Sequence, residues 1–249
     1  MIPDMELAQR CWVAVSTGGA EAVEGVLATV KERNMSPWYC HLCQQQPALF
    51  KRDESLLAAM ISANEAEAKR IKEVLEAAEE GGGDMEVLDA QFESARMLAR
   101  IGEKEKAYSA YMTITDKAKI STGKKIDAIM ECTRVGLFHM DVNQVKEGIE
   151  KAKKLIEQGG DWDRRNRLKV YEALSLIIAR DVRGAAALLL ECVSTFTCTE
   201  LCSYNDFIFY AVITNVLSLP RTSLKKNIVD GPEVLAVINE IPNISRLVN

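Results

Sequence analysis

The spacing of apolar residues along this chain is typical of α-helices. Between residues 84 and 101, apolar side chains recur every three or four positions, which places them on one face of a helix. Few segments alternate apolar and polar residues as a half-buried strand would. The best strand candidate, residues 203–214, contains β-forming aromatic residues. We assign it to a helix, because a buried helix explains the same run and its neighbours are helical.

Proline and glycine indicate where the helices end. No proline occurs between Pro47 and Pro220, and this stretch is rich in alanine, leucine, glutamate and lysine, which favours one helix after another. Glycines follow several helical segments, as expected where a helix ends in the left-handed conformation. Asp84 is predicted to cap a helix over residues 85–101. The sequence therefore predicts an all-α fold.

Three segments of the chain share one outline, in which a helix, a short polar turn and a second helix with small residues follow one another. They are residues 95–111, 131–149 and 171–190. If Gly102, Asp141 and Arg180 are equivalent turn residues, the spacing is 39 residues at both steps. A period near 40 built from helix pairs predicts a right-handed, tetratricopeptide-like solenoid, in which neighbouring helical hairpins share one core.

An acidic segment separates these repeats from the N-terminal helices. Residues 61–86 contain eight acidic residues against three basic ones and only a thin apolar stripe, which predicts a solvated connecting helix. We therefore predict three parts. Residues 1–83 form N-terminal helices and the acidic connecting helix, residues 84–174 form the helical repeats, and residues 175–249 form a further helical part.

Composition narrows the class of protein. The formal net charge of −5 and the pI near 5.3 argue against a general nucleic-acid binder, which would be basic. The longest apolar run, Phe207–Ile213, is far shorter than the ~20 residues of a membrane-spanning helix. The first residues include acids and lack an apolar stretch, so we expect no signal peptide. Seven scattered cysteines are then expected to be reduced thiols in the cytoplasm or nucleus.

The sequence contains no pattern that predicts a catalytic or metal site. Cys40 and Cys43 have a metal-like spacing, but the other cysteine pair, Cys198 and Cys202, is distant and differently spaced, whereas structural zinc needs four suitable ligands. The two histidines have no catalytic partners nearby in sequence, and no glycine group matches a phosphate-binding loop. We expect no catalytic residue, cofactor, metal or small-molecule substrate. An enzyme that uses a cysteine or zinc remains an alternative.

The most unusual stretch is Asp161–Lys169, which predicts the start of a helix. Four basic residues lie in its first two turns, where they oppose the positive end of the helix dipole, and two aspartates offset them. Tryptophan and arginine are enriched among the anchors of protein interfaces, so we predict that Trp162, Arg164 and Arg165 form a partner-contact surface. In a purely structural alternative, Trp162 lies just outside the helix and packs on its first turn.

At this stretch the sequence resembles a known family. Residues 150–197, which include GGDWDRRNRLKVY, are closely similar to PCI-family lid subunits of the 26S proteasome. Shorter matching pieces occur in the same order at residues 31–43, 99–111 and 134–141. The resemblance implies helical repeats that lead into a PCI module, which is a helical part followed by a winged helix. Residues 175–249 would be the first helical part, and we expect the chain to stop before the winged helix.

The resemblance also implies a function. Members of this family are non-catalytic scaffolds of the regulatory particle that contact other lid and base subunits in ubiquitin-dependent protein degradation. We therefore expect protein partners, no nucleic acid and no membrane, and a location in the cytoplasm and nucleus. Two alternatives remain: a signalosome-type PCI scaffold, and a tetratricopeptide-like adaptor that clamps a peptide. The adaptor would use basic residues such as Arg96, Arg134 and Arg164, which do not repeat at the 39-residue interval.

Overall fold

The computed structural model describes residues 2–248, and these residues are mainly helical. The structure is 79% helical, and the described residues include no β-strand, which confirms the predicted all-α class. The chain divides into two compact units, Met1–Asp141 and Val142–Asn249. No helix in residues 2–248 is both long and apolar enough to span a membrane.

The first unit is built from seven helices within its described residues. They are α1 (Met5–Thr17), α2 (Ala20–Glu32), α3 (Ser36–Gln45), α4 (Glu54–Gly81), α5 (Asp84–Ile101), α6 (Lys104–Thr115) and α7 (Thr122–Phe138). Helix α1 packs on α2, and α4 to α7 pack each on the next. The apolar side chains form one core cluster among α1, α2, α3 and the start of α4, and another among α5, α6 and α7.

The second unit also has seven α-helices among its described residues. They are α8 (Val142–Gly159), α9 (Trp162–Ile178), α10 (Val182–Cys192), α11 (Tyr204–Ser218), α12 (Arg221–Leu224), α13 (Pro232–Val237) and α14 (Ile244–Val248). A 3-10 turn, Val193–Thr195, follows α10, and a π-helical turn, Lys225–Val229, follows α12. Helix α9 packs against both α8 and α10, and α10 packs against α11. Packing of each helix on its neighbour in sequence is the pattern of a helical solenoid.

Helix α11 occupies the segment that was the best strand candidate, so the prediction of a helix there is confirmed. Its N-cap is Ser203, whose hydroxyl accepts a hydrogen bond from the backbone N–H of Asp206 at 3.1 Å. Phe207 and Ile208 are fully buried. The capping serine and burial on more than one face explain why a run rich in β-forming residues is helical.

The turns that follow α5, α7 and α9 repeat one backbone geometry. Gly102, Met140 and Arg180 all have positive φ, at 83°, 56° and 63°. In each turn the next residue donates a backbone hydrogen bond to the carbonyl five positions earlier, as in Glu103 to Leu98 at 3.0 Å and Asp181 to Leu176 at 2.9 Å. This is the Schellman motif, in which a left-handed residue ends the helix.

This geometry corrects the predicted repeat register. The residue equivalent to Gly102 and Arg180 is Met140, one position before the predicted Asp141, so the spacing is 38 and then 40 residues. Asp141 is instead the residue whose N–H closes the turn, by donating to the carbonyl of Gly136 at 2.9 Å. The error arises because a polar residue was expected at the turn, whereas the left-handed position is taken by an exposed methionine.

The predicted cap of α5 is also shifted by one residue. The N-cap is Gly83, and Asp84 is the first residue of the helix. The carboxylate of Glu86 accepts a hydrogen bond from the backbone N–H of Gly83, which completes a capping arrangement. Both acids lie in the first turn, where they favour the positive end of the helix dipole. The domain boundaries at residues 83/84 and 174/175 remain predictions.

A buried glutamate ties α5, α6 and α7 of the first unit together. Glu131 on α7 accepts hydrogen bonds from the Arg96 guanidinium of α5, at 2.9 Å to Nε and 2.6 Å to Nη2. It also accepts a hydrogen bond from the Tyr111 hydroxyl of α6 at 3.0 Å. Only 8% of Glu131 and none of Tyr111 is exposed. We call these three residues the Glu131 clamp.

Candidate protein-contact surface

The predicted contact residues lie at the start of α9. Asp161 is its N-cap and accepts a hydrogen bond from the backbone N–H of Arg164 at 2.8 Å. Trp162 is the first residue of the helix, and 62% of it is exposed. Trp162 therefore lies inside the helix and not just outside it, as the structural alternative had placed it. The indole is left on the surface.

The two arginines of the predicted surface have different environments. Arg164 is half-buried and forms an ion pair with the carboxylate of Asp161. The backbone hydrogen bond from Arg164, followed by the charge of its guanidinium, lowers the pKa of Asp161 below its ordinary value. Arg165 is exposed, and no hydrogen bond or ion pair joins its side chain to another residue in the described part of the chain. The structure thus leaves Trp162 and Arg165 as the pair that a partner can reach.

A second buried glutamate anchors the helix that carries this pair. Glu200, in the loop before α11, accepts hydrogen bonds from the Arg167 guanidinium at 2.8 Å to Nε and 2.6 Å to Nη2. The Tyr171 hydroxyl donates to the same carboxylate at 3.3 Å. Glu200 is 8% exposed and Tyr171 is fully buried. We call these residues the Glu200 clamp.

Further contacts hold the loop against α9. The Thr197 hydroxyl donates to Asp163 at 2.9 Å, and Arg167 lies 3.8 Å from the same Asp163 carboxylate, as the i,i+4 spacing predicts. Cys198 is completely buried in this loop, so that desolvation, together with the negative charge of Glu200, raises the pKa of its thiol. Trp162 and Arg165 therefore extend from a helix start whose backbone and supporting loop are fixed by several bonds.

Sequence reasoning missed the residues that make this support. Tyr171 lies four residues after Arg167 and so shares its helix face, a local signal that was present in the sequence. Glu200 is separated from Arg167 by 33 positions, and no local pattern links the two. Their pairing exists only because the loop after α10 folds back onto α9.

The other chemical candidates are placed apart from this surface. Cys40 and Cys43 lie one turn apart on α3, and burial raises the pKa of Cys43. None of the seven cysteines, all within the described residues, forms a disulfide. Within residues 2–248, no three histidine, cysteine, aspartate or glutamate side chains are grouped closely enough to hold a metal ion. His41 stacks on Trp38 with ring centroids 4.9 Å apart, and His139 meets the Trp38 ring edge-on at 5.2 Å, in an aromatic cluster of the first unit.

Basic residues considered for a peptide clamp are held internally. Arg96 is bound to Glu131 in the Glu131 clamp. Arg134 is 7% exposed, lies 4.0 Å from Glu131, and donates through Nε to the carbonyl of Ile2 at 3.2 Å. Arg164 is paired with Asp161. These side chains do not form a repeated basic lining, so the geometry does not favour the peptide-clamp alternative.

The sequence matches one protein family and several curated proteins. The family described as 26S proteasome subunit RPN7 matches residues 53–227. A rice (Oryza sativa subsp. japonica) protein named 26S proteasome non-ATPase regulatory subunit 6 is 42% identical over 90% of this chain and 57% of its own length. The Dictyostelium discoideum protein of the same name is 34% identical over 99% of this chain and 64% of its own length. A Saccharomyces cerevisiae protein named 26S proteasome regulatory subunit RPN7 is also 34% identical, over 96% of this chain and 61% of its own length.

The extent of these matches has two consequences. The family match covers part of each compact unit and includes α9 with Trp162 and Arg165. The chain spans less than two thirds of the length of these relatives.

Proposed function

Because this chain belongs to the family of the 26S proteasome subunit RPN7, we propose that it is a non-catalytic scaffold in the lid of the proteasome regulatory particle. In this role it supports ubiquitin-dependent protein degradation by holding neighbouring subunits in place. The relatives are named regulatory or non-ATPase subunits, and those names support a structural role over a catalytic one. Helices that pack in sequence offer extended surfaces for protein contacts, which supports the same role.

The observation that carries a contact role is the surface at the start of α9. An exposed tryptophan beside an arginine whose side chain has no partner among the described residues is the composition of an interface anchor. The Glu200 clamp holds this pair on a fixed backbone, so that little conformational entropy is lost when a partner binds. Arg164 contributes less than predicted from sequence, because Asp161 already neutralises it.

The proposed partners are other lid and base subunits of the proteasome, and the proposed location is the cytoplasm and nucleus. The net charge of −5 supports protein partners over nucleic acid. The proposal includes no membrane, cofactor or small-molecule substrate. A fluorescent fusion of the chain expressed in cells of its source tests the location.

The contact role is tested with the double variant Trp162→Ala/Arg165→Glu. We expect it to co-purify with tagged regulatory particles about tenfold less than the unchanged chain, because loss of an interface anchor costs more than ~1 kcal/mol. Its melting temperature should be almost unchanged, since both side chains are on the surface. Equal co-purification of the variant and the unchanged chain would contradict the proposal, as would loss of folding in parallel with loss of binding.

A matched control is available in the same unit. Arg183 is exposed on α10, and Leu217 on α11 is 71% exposed. The double variant Arg183→Glu/Leu217→Ala makes the same change of charge and also removes an exposed apolar side chain. It should co-purify normally. If its co-purification falls as much as that of the Trp162→Ala/Arg165→Glu variant, the effect reflects surface charge and not a contact at α9.

A further inference from the structure

The first unit contains an open groove that the proposed scaffold role does not use. It has a volume of about 400 Å³ and lies between the start of α5 and the loop that joins α6 to α7. Leu88, Val87 and Ile120 contribute buried or half-buried apolar surface to its lining. Met85 lies at its edge and is 57% exposed. Methionine at an exposed apolar site adapts readily to different side chains.

The charge of the groove is opposite to that of the chain. Three lysines, Lys117, Lys119 and Lys124, line it together with one acid, Asp84, although the chain as a whole has a net charge of −5. Lys119 is exposed and has no hydrogen bond or ion pair within the described residues. The groove therefore presents positive charge beside an apolar surface.

The other two lysines are positioned by neutral or weak contacts. Lys117 donates to the side-chain oxygen of Gln91 at 2.8 Å. The Lys124 ammonium lies 3.9 Å from Asp89 and 5.7 Å from the centre of the Phe92 ring. Asp89 is an exposed carboxylate, so it screens Lys124 only partly.

The beginning of α7 adds to this positive character. Its first turn contains no acid but includes Lys124, and its N-cap, Ser121, accepts only one backbone hydrogen bond, from Lys124 at 3.4 Å. A lysine in a first turn opposes the helix dipole, and a negative ligand would offset that repulsion. The lysines, the apolar lining and the helix end all face the same groove.

We propose that this groove binds a short acidic peptide segment of a partner protein, with an aliphatic side chain of the peptide against Leu88 and Ile120 and its carboxylates near Lys119 and Lys124. A small anion would use the lysines but not the apolar lining. A single-stranded nucleic acid would stack its bases on aromatic side chains, and the lining includes no aromatic side chain. An acidic, partly apolar peptide matches both properties of the groove.

This site goes beyond the proposed function and does not depend on it. It lies in the first unit, whereas Trp162 and Arg165 lie in the second. The test uses the purified chain and a synthetic peptide, so that a negative result leaves the scaffold proposal standing.

The probe is a fluorescein-labelled peptide in which glutamates flank a central pair of leucines, and binding is measured by fluorescence anisotropy at low and high salt. We expect it to bind the unchanged chain, and to bind about tenfold more weakly to Lys119→Glu/Lys124→Glu. The variant Met85→Ser should weaken binding about threefold, because it removes only part of the apolar edge. Higher salt should weaken binding to the unchanged chain.

Two controls separate the groove from general charge effects. The first is Lys69→Glu/Lys72→Glu, which makes the same charge change on exposed lysines of α4 and should leave binding unchanged. The second is a peptide with serines in place of the leucines, which should bind more weakly. The proposal is overturned if the leucine peptide does not bind, if the α4 variant loses as much affinity as the groove variant, or if the serine peptide binds equally well.

Discussion

The two units of this chain each contain a buried glutamate held by an arginine and a tyrosine, but the two clamps connect different elements. In the first unit, Glu131 on α7 is bound by Arg96 of α5 and Tyr111 of α6, so one carboxylate joins three helices. In the second unit, Glu200 lies in a loop, and both of its partners lie on α9. The same set of side chains therefore joins three helices in one unit and holds a loop against a single helix in the other.

This difference indicates two roles for one arrangement. Loss of the Glu131 clamp leaves the buried Tyr111 hydroxyl without its acceptor, between helices that share one core cluster. The effect should then spread through α5, α6 and α7. The loop held by Glu200 is attached to the helix that carries Trp162, so loss of that clamp should mainly release the contact surface from its support.

The largest effect is expected for Glu131→Ala. Removal of one member of a buried, hydrogen-bonded charge pair costs about 3–5 kcal/mol. We expect the free energy of unfolding to fall by an amount at the lower end of this range, because the Arg96 guanidinium is partly exposed and can be solvated by water. Urea denaturation followed by circular dichroism gives the free energy of unfolding, and hydrogen exchange should be faster throughout α5, α6 and α7.

The matched variant Glu200→Ala sharpens the comparison. It also removes a buried carboxylate. In this variant, however, faster hydrogen exchange should be confined to the loop at residues 193–203 and to the start of α9. Faster exchange throughout the second unit would show that the two clamps have the same role, contrary to this account.

Acid sensitivity should also distinguish the units, because both histidines lie in the first unit. Burial, followed by the positive charges of Lys104 and His41, lowers the pKa of His139 to about 4, although Asp141 acts in the opposite direction. Neutral His139 is favoured in the folded state, whereas the unfolded chain takes up a proton near the ordinary pKa of 6.5. The stabilisation is therefore present above pH 6.5 and is lost as the pH falls towards 4.

We expect the first unit to lose about 3 kcal/mol across this range, since each pKa unit corresponds to ~1.4 kcal/mol. Urea titrations at several pH values measure the slope, and His139→Gln should flatten it much more than His41→Gln, which removes only a smaller cause of the lowered His139 pKa. An unchanged slope in His139→Gln would show that another group causes the acid sensitivity.

Local sequence patterns predicted much of this fold, and the failures are informative. The all-α class, α11 and the helix-pair turns follow from spacing and from residues such as Gly102, because these signals act within a few positions. The turn residue Met140 was misplaced by one position, since its backbone conformation is not typical of its residue type. The clamps were missed because Arg96 and Glu131 are 35 positions apart and meet only when the helices pack.

A smaller loss is expected when Gly102 is changed. Gly102 has a φ of 83°, and an added Cβ would lie 2.7 Å from the Cβ of Trp38. Gly102→Ala should cost about 2 kcal/mol, because it combines an unfavourable left-handed conformation with a close contact to the neighbouring helix. Gly25→Ala is the control, since a Cβ there meets no atom within 4 Å and alanine favours the helix. If Gly102→Ala is as stable as Gly25→Ala, Trp38 moves aside at no cost in free energy and the prediction is wrong.

The equivalent turn in the second unit should respond in the opposite direction. Arg180 has a φ of 63°, a conformation that costs a residue with a Cβ about 1 kcal/mol relative to glycine. Arg180→Gly should therefore raise the free energy of unfolding by up to ~1 kcal/mol. Arg180→Ala keeps the Cβ and should show no gain. A comparable gain for alanine would attribute the effect to the removed charge.

Hydrogen exchange of the chain, free and assembled into the regulatory particle, tests the central claim most directly. If the start of α9 is a partner-contact surface, backbone amides at residues 161–169 should exchange more slowly in the assembled state, and Trp162→Ala/Arg165→Glu should not show this protection. Identical exchange at residues 161–169 in the free and assembled chain would contradict the claim.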